Sequence, residues 1–368
     1  MVLGADFAEN RQPPLFYVVD WLPPDFGAVG QYALIAAQNL ATSGRDVHLI
    51  GLTSGPASCE RIERLAIERL HASAYEKSRF VRRLLWSAAT NSRLAWAVAR
   101  NPKSYRAELQ FTGAPPFFLY FAVVLKLLRR MRLTYRITDF YPETIIAHLG
   151  RRPLILGLLA RLTWWLRRRV DRFEALGEDQ KKILLGGGIA PDRVAVERDG
   201  APVTITGGET PAAKPPALAG CRVLLYSGNY GIAHDVETVV QGLALHRRTG
   251  AGQFGLWLNA SGQNADAVER RLTALGVPLA RTPMVALAEL PALLAAADVH
   301  LITLRPEFAG IVLPSKVYGC IKSGRPVLFV GPESSDVHLL CARGAQAYVR
   351  VSPGDAAGFA RALDALGG

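Results

Sequence analysis

The stretch DVHLITLRPEFAGIVLPSKVYGCIKSGRPVLFVG, residues 298–331, constrains the fold more than any other part of the chain. Val299 to Leu304 is a short apolar run with β-branched residues, the composition of a strand buried in a parallel sheet. Arg305 to Pro314 is a loop carrying one acid, Glu307, and one glycine, Gly310. Ser315 has the side chain of an N-cap, and Lys316 to Lys322 reads as a short helix ended by Gly324. Arg325-Pro326 turns the chain into a second buried strand, Val327 to Val330. The free N–H groups at the helix start, with Lys316 in its first turn, form a candidate phosphate or diphosphate site. An ordinary βαβ unit with a satisfied serine cap explains the same residues, and the stretch alone does not separate the two.

The N-terminal part repeats this pattern. Leu15 to Asp20 reads as a strand entering a loop stiffened by Pro23-Pro24 and closed by Gly27 and Gly30. Gln31 to Ser43 reads as a helix, and Val47 to Leu52 as the next strand. No GxGxxG is present, which counts against a dinucleotide cofactor. Glu60 to Arg100 is arginine-rich and amphipathic, with Trp86 and Trp96 among its arginines, which suits a membrane interface and equally a helix packed on its own domain. Asp139-Phe140-Tyr141-Pro142-Glu143 follows a strand at Leu133 to Thr138, at the edge where open α/β sheets bind ligands. Glu143 serves equally as a helix-start acid. Arg151 to Arg172 is amphipathic: Ile155, Leu158, Leu162, Trp165 and Leu166 share one face, with Arg161, Arg168 and Arg172 on its flank. That pattern fits a helix lying in a lipid headgroup layer, or a core-facing helix with a basic rim. Residues 206–220, rich in Pro, Gly and Ala, read as a linker before a second α/β run that starts at Val223. The division expected is 1–205, linker 206–220, and 221–368: two Rossmann-like domains facing a cleft, in the α/β class.

Charge narrows the partners. Residues 1–200 hold 29 Lys+Arg against 19 Asp+Glu, and the remainder 14 against 12, so +10 of the net +12 lies in the N-terminal part. Nucleic acid and an anionic membrane surface are the usual partners of such a field. No nucleic-acid recognition motif accompanies it, so no nucleic-acid partner is expected. The four cysteines form no CxxC pair and no zinc spacing, which implies a reducing compartment and no metal site. Neither a signal peptide nor a membrane-spanning run is read, which points to a cytoplasmic protein, peripheral on the inner face of the cell membrane.

Five motifs in order carry a resemblance. They are Pro23 to Ala28; Thr112-Gly113-Ala114-Pro115-Pro116; Asp139 to Glu143; Tyr226-Ser227-Gly228-Asn229-Tyr230-Gly231-Ile232-Ala233-His234-Asp235; and Leu304 to Gly310 running through Pro314-Ser315-Lys316 to Gly324-Arg325-Pro326-Val327. Together they resemble the family-4 retaining glycosyltransferases of GT-B architecture, most of all the bacterial branch that builds cell-surface polysaccharides. The resemblance implies a C-terminal domain for a UDP- or GDP-sugar donor and an N-terminal domain for a lipid-linked or glycan acceptor. It implies metal-independent transfer with retention and no cofactor beyond the donor itself. Glu307 would hold sugar hydroxyls and Lys316 the diphosphate, as the catalytic pair. Phe308, Ala309, Gly310 and Ile311 would face the donor sugar, and Pro314 and Ser315 the diphosphate. Gly228, Asn229, Gly231 and His234 would line the diphosphate from the other side. Gly27, Ala28 and Gly30 would close over it, Met284 and Val285 would meet the base, and Asp139 and Glu143 the substrate.

The chain departs from that family at the site: Asn229 and His234 stand where an Arg and a Lys are commoner after the first strand of the C-terminal domain. A second glutamate is expected eight residues after the first, and Ser315, or Gly319 in the alternative alignment, stands there. Two further readings follow: a non-catalytic nucleotide-sugar-binding subunit of a polysaccharide assembly complex, and a GT-B nucleotide-sugar epimerase.

Overall fold

The computed structural model describes residues 12–25, 28–73, 80–113, 117–250 and 253–367. Its contacts divide the chain into two compact units: Met1–Pro142, Pro153–Leu176 and Leu184–Glu197 in the first, Glu143–Arg152, Gly177–Ile183 and Arg198–Gly368 in the second.

The first unit is built on β1 (Leu15–Trp21), β2 (Val47–Thr53), β3 (Ser58–Ile62), β4 (Leu65–His71), β5 (Glu108–Thr112), β6 (Arg132–Ile137), β7 (Arg172–Ala175) and β8 (Val194–Val196). Among the described residues they form one sheet in the order β3-β4-β2-β1-β5-β6-β7-β8. All neighbours are parallel except the β3–β4 pair. Helices α1 (Ala28–Thr42), α2 (Phe80–Ala99), α3 (Phe118–Arg129) and α5 (Leu154–Arg167) belong to this unit, α4 (Glu143–Leu149) groups with the second, and α6 (Glu178–Gly186) is divided between them at Ile183. Leu15, Tyr17, Val19, Leu49 and Ile67 pack with Ala33 and Ala37 of α1 into a core.

The first third of the arginine-rich Glu60–Arg100 stretch is strand. Leu65 and Ile67 are buried alternately, and Arg69 pairs across the hairpin with Glu60 at 2.6 Å. A period of two wins over arginine content there, and the described helix of this stretch is Phe80–Ala99.

The second unit holds β9 (Arg222–Asn229), β10 (Phe254–Ser261), β11 (Leu279–Thr282), β12 (Val299–Thr303), β13 (Val327–Val330) and β14 (Tyr348–Val351). They form an all-parallel sheet ordered β11-β10-β9-β12-β13-β14. Its helices are α7 (Glu237–Thr249), α8 (Gln263–Ala274), α9 (Leu290–Ala295), α10 (Lys316–Lys322), α11 (Asp336–Arg343) and α12 (Ala356–Gly367). The sequence reading left α8 out, although Ala265, Val268 and Leu272 fall on one helical face and are fully buried. Residues 206–220 pack on this unit. Leu218 is buried in its core, and the Ala212 N–H donates to the Ala292 carbonyl at 2.9 Å.

Both sheets reverse their strand order once. The reversal lies between β1 and β5 in the first and between β9 and β12 in the second. At such a switch point the loops after adjacent strands part, leaving a crevice at the carboxyl ends.

Candidate functional site

At the β9/β12 switch point the chain leaves β9 through Gly228, whose φ of +120° suits glycine alone. A Cβ on Gly228 would stand 3.7 Å from the Lys316 ammonium nitrogen, so the turn and the first residue of α10 meet. Lys316 Nζ lies 3.1 Å from the Tyr226 ring centroid. It is buried and has no hydrogen-bond partner among the described residues. Burial holds its pKa well below the ordinary lysine range. An ammonium sealed from water without a counter-charge is costly and is relieved by an anion. Helix α10 itself contributes less than expected: it has 7 residues, and Ser315 makes no side-chain cap bond. The anion-binding argument therefore rests on the lysine side chain.

His234 sits against the same centre. Its Nδ1 is 2.7 Å from the Thr303 carbonyl oxygen, the last residue of β12. Burial, with the Lys316 charge adding to it, pushes its pKa down to about 3. The imidazole is neutral, and because Nδ1 carries the proton given to Thr303, Nε2 is left as an acceptor. An acceptor suits a hydroxyl better than a phosphate oxygen. Asn229 is exposed beside Gly231, and its carbonyl receives the Tyr226 hydroxyl at 3.0 Å.

The loop after β12 is firmly seated. Phe308 is fully buried in the core, so only its backbone can meet a ligand. Gly310 has φ +71°, and a Cβ there would stand 2.8 Å from Ile183 and 3.1 Å from the Asp179 carbonyl oxygen. Asp179 and the fully buried Asp336 anchor that contact. Asp179 Oδ2 accepts the Asp336 N–H at 2.9 Å, and the Asp336 carboxylate accepts from Arg198 at 2.9 and 3.0 Å. Glu307 is half exposed and reaches Arg305 at 3.4 Å. Ala309, Ile311 and Ser315 are partly open, and Pro314 is buried. Met284 and Val285 follow β11, and Met284 sulfur accepts the Ser261 hydroxyl at 3.1 Å. Asn259, which the sequence reading passed over, holds that segment to the centre. Its amide donates to Thr282 Oγ1 at 3.0 Å and to the Pro283 carbonyl at 2.5 Å, while its Oδ1 accepts from Ser227 at 3.3 Å. A buried asparagine ending an apolar strand was the available signal.

The β1/β5 switch point of the first unit has a pocket of about 280 Å³, lined by the ends of β1, β5 and β6 and by α3 and α5. Trp21 and Trp86 stack with centroids 6.2 Å apart, and Phe111 and Tyr135 stack at 4.1 Å; all four line it. Trp86, whose stretch suits a lipid interface or a helix packed on its own domain, is a pocket wall. Asp20 and Asp139 stand among these rings. Asp20 Oδ1 is buried without a hydrogen-bond partner among the described residues. Burial, with the neighbouring Asp139 charge also acting, raises Asp20 to about 7. Burial raises Asp139 to about 6. The pair can therefore hold a proton near neutrality, and it both donates to and accepts from hydroxyls. Aromatic walls with a few polar groups suit a sugar ring. Asp139 was expected here and Asp20 was missed, although an acid closing a buried parallel strand marks a ligand-facing edge.

Other expected residues fall elsewhere. Gly27 lies outside the described residues, and Ala28 opens α1. Gly30 is buried against β1, where a Cβ would stand 1.8 Å from the Trp21 carbonyl oxygen, so helix–strand contact requires this glycine. Glu143 is the first residue of α4 and groups with the second unit, not with the pocket around Asp139.

Two Rossmann-like α/β domains, each with its switch point at a parallel sheet edge, define a GT-B fold, and solved structures share it. No family model matches the sequence. Among curated proteins, the probable glycosyltransferase WbjE of Pseudomonas aeruginosa is 23% identical over 283 residues, 74% of this chain and 69% of WbjE. The E. coli trehalose-6-phosphate structure bound with UDP-2-fluoro glucose superposes with TM-score 0.66 at 13% identity, over 96% of this chain and 90% of that one. Anabaena Alr3699/HepE, in complex with UDP and glucose, gives TM-score 0.63 at 12% identity over 96% and 89%. The lipopolysaccharide outer core galactosyltransferase WaaB gives 0.57 at 13% over 96% and 90%.

Proposed function

We propose that the chain is a glycosyltransferase that moves a sugar from a nucleoside-diphosphate sugar to a membrane-linked glycan acceptor in cell-surface polysaccharide synthesis. The observation that carries this reading is the buried, unpartnered Lys316 ammonium beside Gly228. A departing nucleoside diphosphate develops negative charge, and a fixed cation in a dry site stabilises that charge most at the transition state. The likeness to structures bound with UDP-2-fluoro glucose and with UDP and glucose favours a UDP-sugar, with a GDP-sugar the alternative.

Within this reading residues 221–368 receive the donor and residues 1–205 the acceptor. Glu307, with the partly open Ala309 and Ile311 and the Gly310 amide, meets the sugar. Ser315, Gly228, Asn229 and Gly231 meet the diphosphate, and Met284 and Val285 the base. His234 Nε2 accepts a donor hydroxyl. The Asp20–Asp139 pocket takes an acceptor sugar ring. Transfer is retaining and metal-independent: the leaving phosphate takes the acceptor proton, and Lys316 supplies the positive charge. The acceptor's carrier lies at the inner face of the cell membrane, a reading favoured by the +10 charge of residues 1–200 and by the apolar residues exposed on α3 and α5. Among the described residues no helix is long and apolar enough to cross a membrane.

The test is a thermal-shift screen against UDP, GDP and their sugars, followed by transfer assays on wild type and Lys316→Ala. A nucleotide diphosphate should raise the melting temperature of wild type only. Equal shifts in both proteins would remove Lys316 from the diphosphate site. Binding without transfer or hydrolysis of any donor would favour the non-catalytic subunit.

A further inference from the structure

A second pocket of the first unit, about 460 Å³, opens where the C-terminal ends of α3 and α5 meet the segment before β8. Lys126, Arg168, Arg169 and Arg193 line it with a single acid, Asp171. Lys126 uses that acid, at 2.5 Å, and also donates to the Arg169 carbonyl at 2.7 Å. The three arginines are held by backbone carbonyls. Arg168 donates to Gly187 at 3.1 and 3.3 Å, Arg193 to Arg168 at 3.0 Å, and Arg169 to Trp165 at 2.7 Å. None of the three has a carboxylate partner among the described residues. Arg193 Nε is buried and lacks any partner there. The guanidinium groups are thus fixed in place with their charge uncompensated, and their planar forks match phosphate oxygens.

The surface beside this pocket is apolar. On α3, Leu127 is 70% and Leu128 71% exposed, with Val124 next to them. On α5, Leu154 and Ile155 are each 79% exposed, and Leu158, Leu162 and Trp165 continue the stripe. Leu166, expected on that stripe, turns into the core. Pocket and stripe are continuous: Leu127 lines the pocket, and the Arg169 guanidinium lies 3.2 Å from the Trp165 ring centroid. Aliphatic residues with a tryptophan, edged by Arg161 and Arg168, form the face of an element resting in a headgroup layer.

We propose that this pocket binds the phosphate of an anionic lipid headgroup while the α3/α5 stripe enters the lipid surface, which orients the first unit on the membrane. The proposal deepens the membrane-linked reading above and rests on it. A lipid fits better than a protein partner because the uncompensated charge is all of one sign and lies at the margin of the apolar stripe.

The test is co-sedimentation with phosphatidylcholine vesicles with and without phosphatidylglycerol. The pocket variant Arg168→Gln/Arg193→Gln is compared with Arg247→Gln/Arg248→Gln, an equal charge loss on exposed α7 residues. Wild type and the α7 variant should bind anionic vesicles alike, and the pocket variant roughly 30-fold more weakly, about 5-fold per charge. Leu128→Ser/Leu158→Ser, on the stripe and outside the pocket lining, should lose vesicle binding with the pocket intact. If the pocket variant unfolds, Arg169→Gln replaces it, because among the described residues the Arg169 side chain donates only to the Trp165 carbonyl, and its backbone bond to Lys126 is kept. Equal weakening in both arginine variants, or equal binding to neutral vesicles, would overturn the proposal. So would glycerol phosphate raising the melting temperature of a protein that ignores vesicles, which would make this a free-phosphate site, or self-association through the stripe without vesicle binding. Lys316→Ala should bind vesicles as wild type does, so failure of sugar transfer and failure of lipid binding are read separately.

Discussion

Lys316 and Tyr226 face each other at 3.1 Å, ammonium nitrogen to ring centroid, and no oxygen among the described residues shares the lysine's protons. The π face compensates part of the charge, but far less than a carboxylate would. The centre is therefore under electrostatic strain that an anion removes.

Replacing that lysine should separate stability from function. Lys316→Met removes a buried unpaired cation and should stabilise the ligand-free protein by roughly 1–3 kcal/mol. The same variant should lose the UDP-induced thermal shift and about 10²–10³-fold in transfer rate. A lower melting temperature without nucleotide would contradict the account of the site.

The pH dependence follows from the same depressed pKa. Between the folded value and the ordinary lysine range the unfolded chain binds the proton more readily, so this group makes stability rise with pH through that window. Binding a diphosphate favours the protonated form and raises the folded value again. UDP affinity should fall as pH rises through the folded value, and titration calorimetry in buffers of different ionisation enthalpy should register proton uptake.

Asp20 has the opposite sign. Its pKa rises from 3.8 to about 7, so the native state holds the extra proton, and stability from this group falls as pH climbs between those values. The full difference is on the order of 4 kcal/mol. Asp20→Asn should remove most of that fall, with Asp139 leaving a smaller one. Urea melts at about pH 5 and about pH 8 measure it. The same variant should weaken acceptor use while leaving the UDP thermal shift unchanged.

Gly30 and Gly186 make a matched pair. Gly30→Ala drives a methyl into the Trp21 carbonyl and should cost about 3 kcal/mol or more. Gly186→Ala, at the end of α6 with open space around its Cβ, should be neutral or stabilising by up to about 1 kcal/mol. Denaturant midpoints would show whether contact, rather than loss of glycine as such, governs.

Arg198→Leu leaves the fully buried Asp336 carboxylate without its cation and should cost about 3–5 kcal/mol. The double variant Arg198→Leu/Asp336→Leu should recover much of this. Because Asp336 and Asp179 together seat Gly310, the single variant should also raise the KM for the donor.

The sequence by itself determined most strands of both domains, the Gly228 turn, and α10 with Lys316 at its start, because burial and glycine geometry leave short-range traces. It did not reveal the β3–β4 hairpin, where an alternation of only a few residues lies hidden among arginines. Only the tertiary structure decided which polar groups are isolated. Lys316 reads as a surface-type cation until Tyr226 and the Gly228 turn enclose it, and Asp20 reads as a strand end until Asp139 arrives from β6, more than a hundred residues on. It also separated α5 into an inward Leu166 and an outward Ile155 and Trp165, since which face of an amphipathic helix meets solvent depends on what the rest of the fold covers.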